Sequence, residues 1–325
     1  MAEMNLVEAV NSALREEMER DDRVMVLGED VGRAGGVFRA TEGLQKLFGE
    51  DRVVDTPLAE SGIVGTAIGL ALFGMRPVAE IQFMGFIYPA FDQIISHAGR
   101  MRNRSRGRFS VPLVIRAPYG GGIHAPEHHS ESTEAIFAHT PGIKVVIPSN
   151  PYDAKGLLIS AIRDPDPVVF LEPKRLYRAI KAEVPDGDYE VPIGNAAVAR
   201  EGEQVTLIAW GSMVPIASDA ADALAEEGID VELIDVRTVT PLDSETIIES
   251  VKKTGRVVVV HEAPKTCGFG AEIIAMINER AFLSLSAPPQ RVTGFDIVFP
   301  LLKSEHLYLP SVERISAAVR RVMEF

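Results

Sequence analysis

Residues 53–81 read VVDTPLAESGIVGTAIGLALFGMRPVAEI. Two short apolar runs, Val53–Asp55 and Pro77–Ile81, flank a longer segment of helical periodicity, Ser61–Phe73. The apolar runs do not alternate with polar residues, which is typical of parallel strands that helices cover on both faces. The stretch therefore predicts a strand, a helix and a second strand, the repeating unit of an α/β fold.

The same alternation extends over the whole chain. Further strands are predicted in the first half at Val24–Leu27, Pro112–Arg116, Lys144–Ile147 and Pro167–Leu171, with helices near Leu6–Glu19, Tyr88–Arg102, Ser132–His139 and Tyr152–Arg163. A second series has strands at Val205–Ala209, Val231–Ile234, Val257–Val260 and Arg291–Thr293, with helices near Val214–Glu227, Ser244–Lys253, Ala271–Ala281 and Ser311–Met323. Residues 172–194, rich in Pro, Asp, Gly and Lys, separate the two series and are interpreted as a linker. We therefore predict two α/β domains, residues 1–185 and 186–325.

Composition restricts the classes of function. The chain has 325 residues, 46% of them hydrophobic, which is enough to bury two cores. A formal net charge of −13 argues against a nucleic-acid or anionic membrane surface, and the basic run Arg100–Arg108 is better explained as a helix end or subunit contact. The single cysteine, Cys267, cannot form an internal disulfide. Neither a secretion signal nor an apolar run of membrane-spanning length is visible, so we expect a cytoplasmic protein.

Several common catalytic motifs are missing. The sequence contains no Gly-x-Ser-x-Gly, no Walker loop, and no Gly-Asp-Gly followed by a distant Asn, the pattern with which thiamine enzymes hold Mg²⁺ and diphosphate. The run Gly268–Ile273 begins like a dinucleotide fingerprint, but it lacks the third glycine. We interpret it as a helix start that follows a strand.

A histidine-rich segment, GGGIHAPEHHSES at residues 120–132, is the first candidate site. His124 and His128 could bind a divalent metal together with a nearby glutamate, but three glycines and Pro126 oppose the helix that such spacing needs. A histidine is better suited to proton transfer here, because its pKa lies near neutrality. The glycines are expected to give a catalytic loop its freedom of movement.

Two further candidates follow predicted strands. Glu60 lies between a strand and a helix, at the edge where parallel sheets bind ligands, although an acid that merely stabilises the helix start is the simpler interpretation. Phe86 follows the next strand, and its neighbour Gly85 would let a flat ligand approach the ring.

Many stretches together resemble one family, the β subunits of the thiamine-diphosphate-dependent first component of 2-oxo acid dehydrogenase complexes, of the pyruvate or branched-chain type. The stretches that match are Leu27–Gly32, Gly35–Phe38, Thr41–Leu44, Asp55–Glu60, Arg76–Glu80, Phe91–Gln93, His129–Ser132, Pro141–Pro148, Asp153–Leu157, Asp235–Thr238 and Lys253–Arg256. The resemblance implies an N-terminal pyrimidine-binding domain, with a parallel sheet covered by helices on both faces, and a C-terminal domain like that of transketolase.

The resemblance also implies roles for individual residues. Glu60 is the acid that hydrogen-bonds the cofactor's pyrimidine nitrogen, Phe86 packs on the pyrimidine, and Leu58 and Glu29 line the cofactor pocket. His129 is the catalytic histidine, placed for proton transfer and for acylation of the incoming lipoyl group. Relatives also bind a structural K⁺, mostly through backbone carbonyls, at positions that correspond here to Val111, Leu113, Val114, Ala161, Asp164 and Asp166.

The implied enzyme is an oxidoreductase that is active only with a partner. Thiamine diphosphate would be shared with an α subunit, which holds Mg²⁺ and the diphosphate, in an α2β2 heterotetramer. The acyltransferase component would bind through its subunit-binding domain and lipoyl domain. The alternatives are a noncatalytic α/β scaffold subunit and a metal-dependent hydrolase built on the histidine-rich segment 120–132, the histidine loop. The sequence leaves the choice between pyruvate and branched-chain substrates open.

Overall fold

The computed structural model describes residues 1–325 and contains two sheets joined by a shared core. The larger sheet has seven strands in the order β12-β6-β7-β5-β4-β2-β3. These strands are β2 (Val24–Gly28), β3 (Val53–Asp55), β4 (Arg76–Glu80), β5 (Val114–Tyr119), β6 (Lys144–Val146), β7 (Val168–Pro173) and β12 (Thr238–Thr240). Six of them are parallel, and only β12, which comes from the C-terminal half, runs antiparallel to its neighbour β6.

The second sheet has five strands in the order β14-β13-β10-β11-β9. They are β9 (Ala197–Arg200), β10 (Val205–Ala209), β11 (Val231–Asp235), β13 (Val257–Val260) and β14 (Gln290–Val292), and β9 is the antiparallel edge strand. A separate two-stranded antiparallel ribbon pairs β1 (Ala2–Asn5) with β8 (Lys181–Val184). The predicted α/β fold with two parallel-rich sheets is therefore confirmed.

Eleven α-helices surround the sheets. They are α1 (Leu6–Arg20), α2 (Leu44–Phe48), α3 (Glu60–Leu72), α4 (Met101–Arg104), α5 (Glu134–Ala138), α6 (Pro151–Arg163), α7 (Met213–Glu226), α8 (Ser244–Thr254), α9 (Gly270–Ala281), α10 (Glu305–Tyr308) and α11 (Val312–Met323). Asn5 caps α1 in a capping box with Glu8, and Asn150 caps α6 ahead of Pro151, so local sequence fixes where these helices begin. None of the helices has the length and apolar character that crossing a membrane requires.

The two sheets bury one apolar core between them. The largest hydrophobic cluster contains 37 residues and includes Ile81 and Ile147 from the first sheet region together with Ile234 and Trp210 from the second. The antiparallel pairing of β12 with β6 ties the C-terminal half to the larger sheet. The C-terminal half thereby supplies one edge strand of the larger sheet.

Two predictions about secondary structure were wrong. The segment 88–102 is not one helix but a 3₁₀ turn at Tyr88–Ala90, a π-helical stretch at Gln93–Ala98 and the short α4, and Pro89 lies in the first of these. Residues 172–194 are not a simple linker. Glu172 is fully buried in β7, where it accepts hydrogen bonds from Arg116, and β8 pairs with the N-terminal strand. Long-range pairing, which composition does not reveal, orders this segment.

Candidate active site at the carboxyl edge of the larger sheet

Three neighbouring parallel strands end at the same edge of the larger sheet. In the register of β4, β2 and β3, Gly28 lies beside Glu80 on one side and beside Asp55 on the other. The segments that follow these strands carry Glu29, then Leu58 and Glu60, and then Phe86. The structure thus brings all four predicted cofactor-binding residues to one edge, as expected for a ligand site of an open α/β sheet.

Glu60 is the first residue of α3 and is half-buried, and no side chain caps this helix start. Glu29 is 7% exposed. Burial raises the pKa of Glu29, and the nearby charge of Glu60 raises it further. Both effects favour the protonated form of Glu29 relative to an isolated acid. Leu58, between Glu29 and Glu60 in the chain, is 78% exposed and presents an apolar surface.

An aromatic cluster holds His129. The imidazole ring centre lies 4.4 Å from the Phe83 ring and 5.2 Å from the Phe86 ring, in edge-to-face geometry with both. A Cβ on Gly85 would lie 2.1 Å from the His128 carbonyl oxygen. Gly85 therefore allows the histidine loop to pack on the 3₁₀ turn Met84–Phe86, a role in this chain beyond the ligand approach that we predicted.

One ring nitrogen of His129 has no hydrogen-bond partner. The Nδ1 atom of its half-buried side chain is buried and has no hydrogen-bond partner. Burial lowers the pKa of His129, and the positive charges of His128 and Lys174 lower it further. The ring is therefore held in its neutral form to lower pH than an exposed histidine, which suits it to exchange a proton with a bound group.

The three glycines before His129 each permit a close contact: a Cβ would lie 1.8 Å from Glu262 Oε1 at Gly120, 2.3 Å from the Phe299 ring at Gly121, and 2.4 Å from the Arg175 side chain at Gly122. Gly120 and Gly122 also adopt φ of 82° and 90°, the left-handed region that favours glycine. The loop is packed in place.

The structure does not support a transition-metal site in the histidine loop. No group of three or more His, Cys, Asp or Glu side chains is placed to hold a metal ion. The Nδ1 atom of His124 instead lies 3.0 Å from the carboxylate of Glu305. His128 is exposed and stacks loosely on Phe86, with 6.3 Å between ring centres.

The predicted potassium positions lie at the opposite, amino edge of the sheet. They are Val111 and Leu113 ahead of β5, Val114 at its start, Ala161 and Asp164 at the end of α6, and Asp166 ahead of β7. The Asp164 carboxylate lies 2.5 Å from Lys144 Nζ, and Asp166 lies 2.5 Å from Arg102 Nε. The Leu113 carbonyl accepts the Val168 N–H. The potassium site therefore stays a prediction.

Sequence reasoning missed a buried polar group behind the histidine loop. Glu262 and Glu305, both from the C-terminal half, are 3% and 2% exposed, and Lys174, which follows β7, is 4% exposed. Burial lowers the pKa of Lys174 to about 8, and its Nζ has no hydrogen-bond partner. Local patterns carry no sign of this group, because its members are far apart in sequence and meet only in the fold.

Known proteins share this architecture over the full chain. Residues 2–180 match the family described as "Transketolase, pyrimidine binding domain", and residues 194–315 match "Transketolase, C-terminal domain". A solved structure titled "Split gene transketolase, inactive beta4 tetramer" superposes with a TM-score of 0.81 at 24% identity, covering 99% of this chain and 98% of that chain. It shows likeness of fold.

Much higher sequence identity links the chain to one kind of subunit. The "Pyruvate dehydrogenase E1 component subunit beta" of Acholeplasma laidlawii is 57% identical over 99% of this chain and 98% of its own length. The protein of the same name from Bacillus subtilis (strain 168) is 56% identical over 100% of both chains. This chain therefore belongs to the family of pyruvate dehydrogenase E1 component β subunits, built from a transketolase pyrimidine-binding domain and a transketolase C-terminal domain.

Proposed function

We propose that this chain is the β subunit of a thiamine-diphosphate-dependent pyruvate dehydrogenase. With an α subunit, it decarboxylates pyruvate oxidatively and passes the acetyl group to the lipoyl group of an acyltransferase. The observation that carries the proposal is the convergence of Glu60, Phe86 and His129 at the carboxyl edge of the larger sheet. The relatives' name supports pyruvate ahead of branched-chain 2-oxo acids. Steady-state rates of the α–β enzyme on both kinds of substrate test that choice.

The residues at this edge fit an aminopyrimidine ring. Leu58 and half-buried Phe86 offer apolar surface, and half-buried Glu60 offers a carboxyl group beside it. When bound, thiamine diphosphate supplies a carbon nucleophile for attack on the keto carbonyl. Glu60 would hydrogen-bond a ring nitrogen of the pyrimidine and share a proton with it, and Glu29 lies close enough for the charge of Glu60 to raise its pKa.

His129 would act later in the reaction. Its neutral imidazole, held by Phe83 and Phe86, can exchange a proton with a sulfur of the incoming lipoyl group. The tight packing of the loop keeps this ring in one position, which reduces the entropy that must be lost in the transition state.

A partner subunit is part of the proposal. After Glu60, helix α3 contains no charged residue, yet Gly62, Thr66 and Gly69 on one of its faces are exposed, and the following Phe73 is 93% exposed. An apolar helix is normally covered on all sides, so this face suits a subunit contact. We infer that an α subunit covers it in an α2β2 assembly and supplies the sites for Mg²⁺ and diphosphate.

Two further components and a location complete the proposal. The lipoyl and subunit-binding domains of an acyltransferase would bind the assembled enzyme, which pull-down with those two domains tests. The single cysteine is free and exposed, a state that a reducing compartment preserves, and we propose a cytoplasmic location.

We also propose that K⁺ binds at the amino edge of the sheet. Main-chain carbonyls and the carboxylates of Asp164 and Asp166 are the hard oxygen donors that such a cation prefers. Since Lys144 and Arg102 already contact those carboxylates, the carbonyls would supply most of the ligands. Replacing potassium chloride by choline chloride should lower the Tm of the assembled enzyme, and an unchanged Tm refutes the site.

Glu60→Gln in the α–β enzyme tests the proposed function. The amide cannot hold the proton that the carboxyl group shares, so pyruvate-dependent reduction of an artificial electron acceptor should fall about 10²-fold or more. Glu50→Gln is the matched control, since Glu50 is exposed and makes no hydrogen bond. Assembly with the α subunit should be normal in both variants. An undiminished rate in Glu60→Gln removes Glu60 from this role.

A further inference from the structure

One carboxylate of the C-terminal half accepts hydrogen bonds from the backbone of the histidine loop. Glu305, at the start of α10, accepts the N–H of Gly122 on one oxygen and the N–H of His124 on the other, the latter at 2.9 Å. The same second oxygen lies 3.0 Å from His124 Nδ1. A buried carboxylate that accepts two backbone N–H groups forms hydrogen bonds stronger than those between neutral groups.

These bonds hold backbone conformations that are otherwise disfavoured. His124 has φ of 58°, in the left-handed region, where a residue with a side chain is strained. The strain persists only because the surrounding structure fixes it. The ion pair itself adds little, because the His124 side chain is 66% exposed. Of the contacts that Glu305 makes with the loop, the backbone amide bonds are therefore the stronger restraint.

A second carboxylate restrains the other end of the loop. Glu262 accepts the hydroxyl of Ser132 at 2.9 Å and packs directly on Gly120. The Gly120 N–H is bonded to the Glu131 carbonyl at 2.8 Å, which closes the loop. Residues between the two anchors form the 3₁₀ turn Glu127–His129, in which His129 donates its N–H to Pro126 at 2.9 Å.

A buried cation, Lys174, lies near Glu305. The positive charge of buried Lys174 interacts with both Glu262 and Glu305. Lys174 also contributes to the lowered pKa of His129, so the same buried group lies near the imidazole. Position and charge state of His129 are thus both linked to residues outside the loop.

We propose that Glu305 is a positioning residue for His129. By fixing Gly122 and His124, it keeps the following turn seated so that the imidazole stays against Phe83 and Phe86. The proposal rests on the proposed function of His129 in acyl transfer, and adds that the C-terminal half of the chain determines where that histidine lies.

Glu305→Ala in the assembled α–β enzyme tests the proposal by three measurements. Hydrogen exchange at the amides of Gly122 and His124 should become faster. Modification of His129 by diethyl pyrocarbonate, mapped by mass spectrometry, should become several-fold faster because the ring loses its contacts with Phe83 and Phe86. Acetylation of a lipoyl domain should fall about tenfold, with less than about a twofold change in artificial-acceptor reduction, because a displaced group loses its orientation.

Two variants make the result interpretable. Glu305→Gln keeps one acceptor oxygen, so its effects should lie between those of the wild type and Glu305→Ala, and it serves if the alanine variant does not fold. Glu279→Ala, an exposed residue of α9 in the same half of the chain, should behave like the wild type.

The outcomes separate this proposal from the proposed function. If hydrogen exchange at Gly122 and His124 is unchanged in Glu305→Ala, Glu305 does not restrain the loop backbone. If exchange is faster but the reactivity of His129 is unchanged, Glu305 does not position the histidine. If His129 becomes more reactive in Glu305→Ala but His129→Ala itself acetylates the lipoyl domain normally, the positioning proposal stands and the role of His129 fails.

Discussion

At the scale of single residues, the carboxyl edge of the larger sheet holds an acid and a base whose pKa values are shifted in opposite directions. Burial and the neighbouring charge of Glu60 raise the pKa of Glu29, whereas burial and nearby positive charges lower the pKa of His129. Both shifts favour the uncharged form of the residue. Shifts of this kind, in an acid and a base at one sheet edge, are typical of sites that transfer protons.

His129→Ala should separate the two stages of the reaction. Acetylation of a lipoyl domain should fall about tenfold or more through loss of the proton-transferring ring. Reduction of an artificial acceptor, which needs no lipoyl group, should fall much less. Both rates are measured on the assembled enzyme, with His139→Ala as the control because His139 is exposed and lies outside the loop. Equal losses in the two assays would contradict this division of roles.

A second histidine makes a prediction about stability. His261 is fully buried against Trp210, with 5.3 Å between ring centres, and neither ring nitrogen has a hydrogen-bond partner. Burial, with the charge of Arg291, lowers its pKa from 6.5 to about 4. The unfolded chain therefore binds this proton more readily. The stabilising contribution is complete above pH 6.5 and is lost as the pH falls towards 4, by about 3 kcal/mol in total.

His261→Phe should remove this pH dependence. Between pH 6.5 and pH 5 the group alone should lower the free energy of unfolding of the wild type by about 2 kcal/mol. Buried acids titrate in the same range, and burial raises the pKa of Glu134 and of Asp235 to about 7, so only the difference between variant and wild type isolates His261. Urea unfolding at both pH values measures it. Parallel pH profiles for the two proteins would refute the assignment.

At the scale of elements, α3 has more room than its sequence suggests. Glycine is disfavoured in a helix interior and is usually explained there by a close backbone contact. However, a Cβ on Gly69 would meet no atom of this chain within 4 Å, and one on Gly65 only the Gln93 side chain at 3.6 Å. Within the chain, therefore, no neighbour requires a glycine at position 69. A partner subunit that packs against the exposed face would explain it, since small residues allow helices to approach closely.

Gly69→Ala should have effects of opposite sign with and without the partner. In the chain expressed alone, alanine should raise the free energy of unfolding by up to about 1 kcal/mol, because glycine disfavours a helix interior. In the α–β assembly the added methyl group should separate the packed surfaces and weaken the complex. Urea unfolding and sedimentation of the mixed subunits measure the two effects. If alanine stabilises both forms, α3 does not contact the α subunit.

Elements that local sequence determines were predicted well, and those that depend on distant partners were not. The strands β3, β10 and β13 begin and end where the apolar runs do, and α8 begins at its predicted residue behind the capping side chain of Asp243. Gly268 lies just before α9 and Gly270 begins it, in agreement with the predicted helix start, and both also pack on the His261 ring. The missed strands β1, β8, β9 and β12 exist through pairing with segments far away in the chain.

The site residues also divide into those that the sequence predicted and those that depend on distant parts of the chain. The sheet-edge rule located Glu60 and Phe86, and chemical reasoning with the family resemblance selected His129 among three histidines. Nothing in the loop sequence indicated that Glu305 and Glu262 hold it, because 181 residues separate His124 from Glu305. The close contacts of Gly120–Gly122 were missed for the same reason: the residues that make glycine necessary there lie in another part of the chain.

At the scale of the whole molecule, the two sheets share one core. The shared cluster of 37 buried residues draws on both, and Trp210 Nε1 donates to buried Glu134 across the boundary at 3.2 Å. Arg237 contacts fully buried Asp153 at 2.8 Å, which joins the C-terminal half to α6. Residues of the C-terminal half hold the histidine loop in place. Separation of the two halves would therefore disrupt the candidate active site as well as the core.

Arg237→Met should destabilise the whole chain without making its parts independent. It removes the cation that faces the buried Asp153 carboxylate, leaving that charge with only the Asn150 side-chain amide at 2.7 Å, so the free energy of unfolding should fall by about 3 kcal/mol. Unfolding followed by tryptophan fluorescence and by circular dichroism should still coincide in one transition, since Trp210 lies in the shared core. Arg321→Met, at an exposed position of α11, is the control and should change stability by less than about 0.5 kcal/mol. Two separate transitions in the Arg237 variant would show that the two halves of the chain unfold independently. The shared core would then not be sufficient to keep the C-terminal half against the histidine loop.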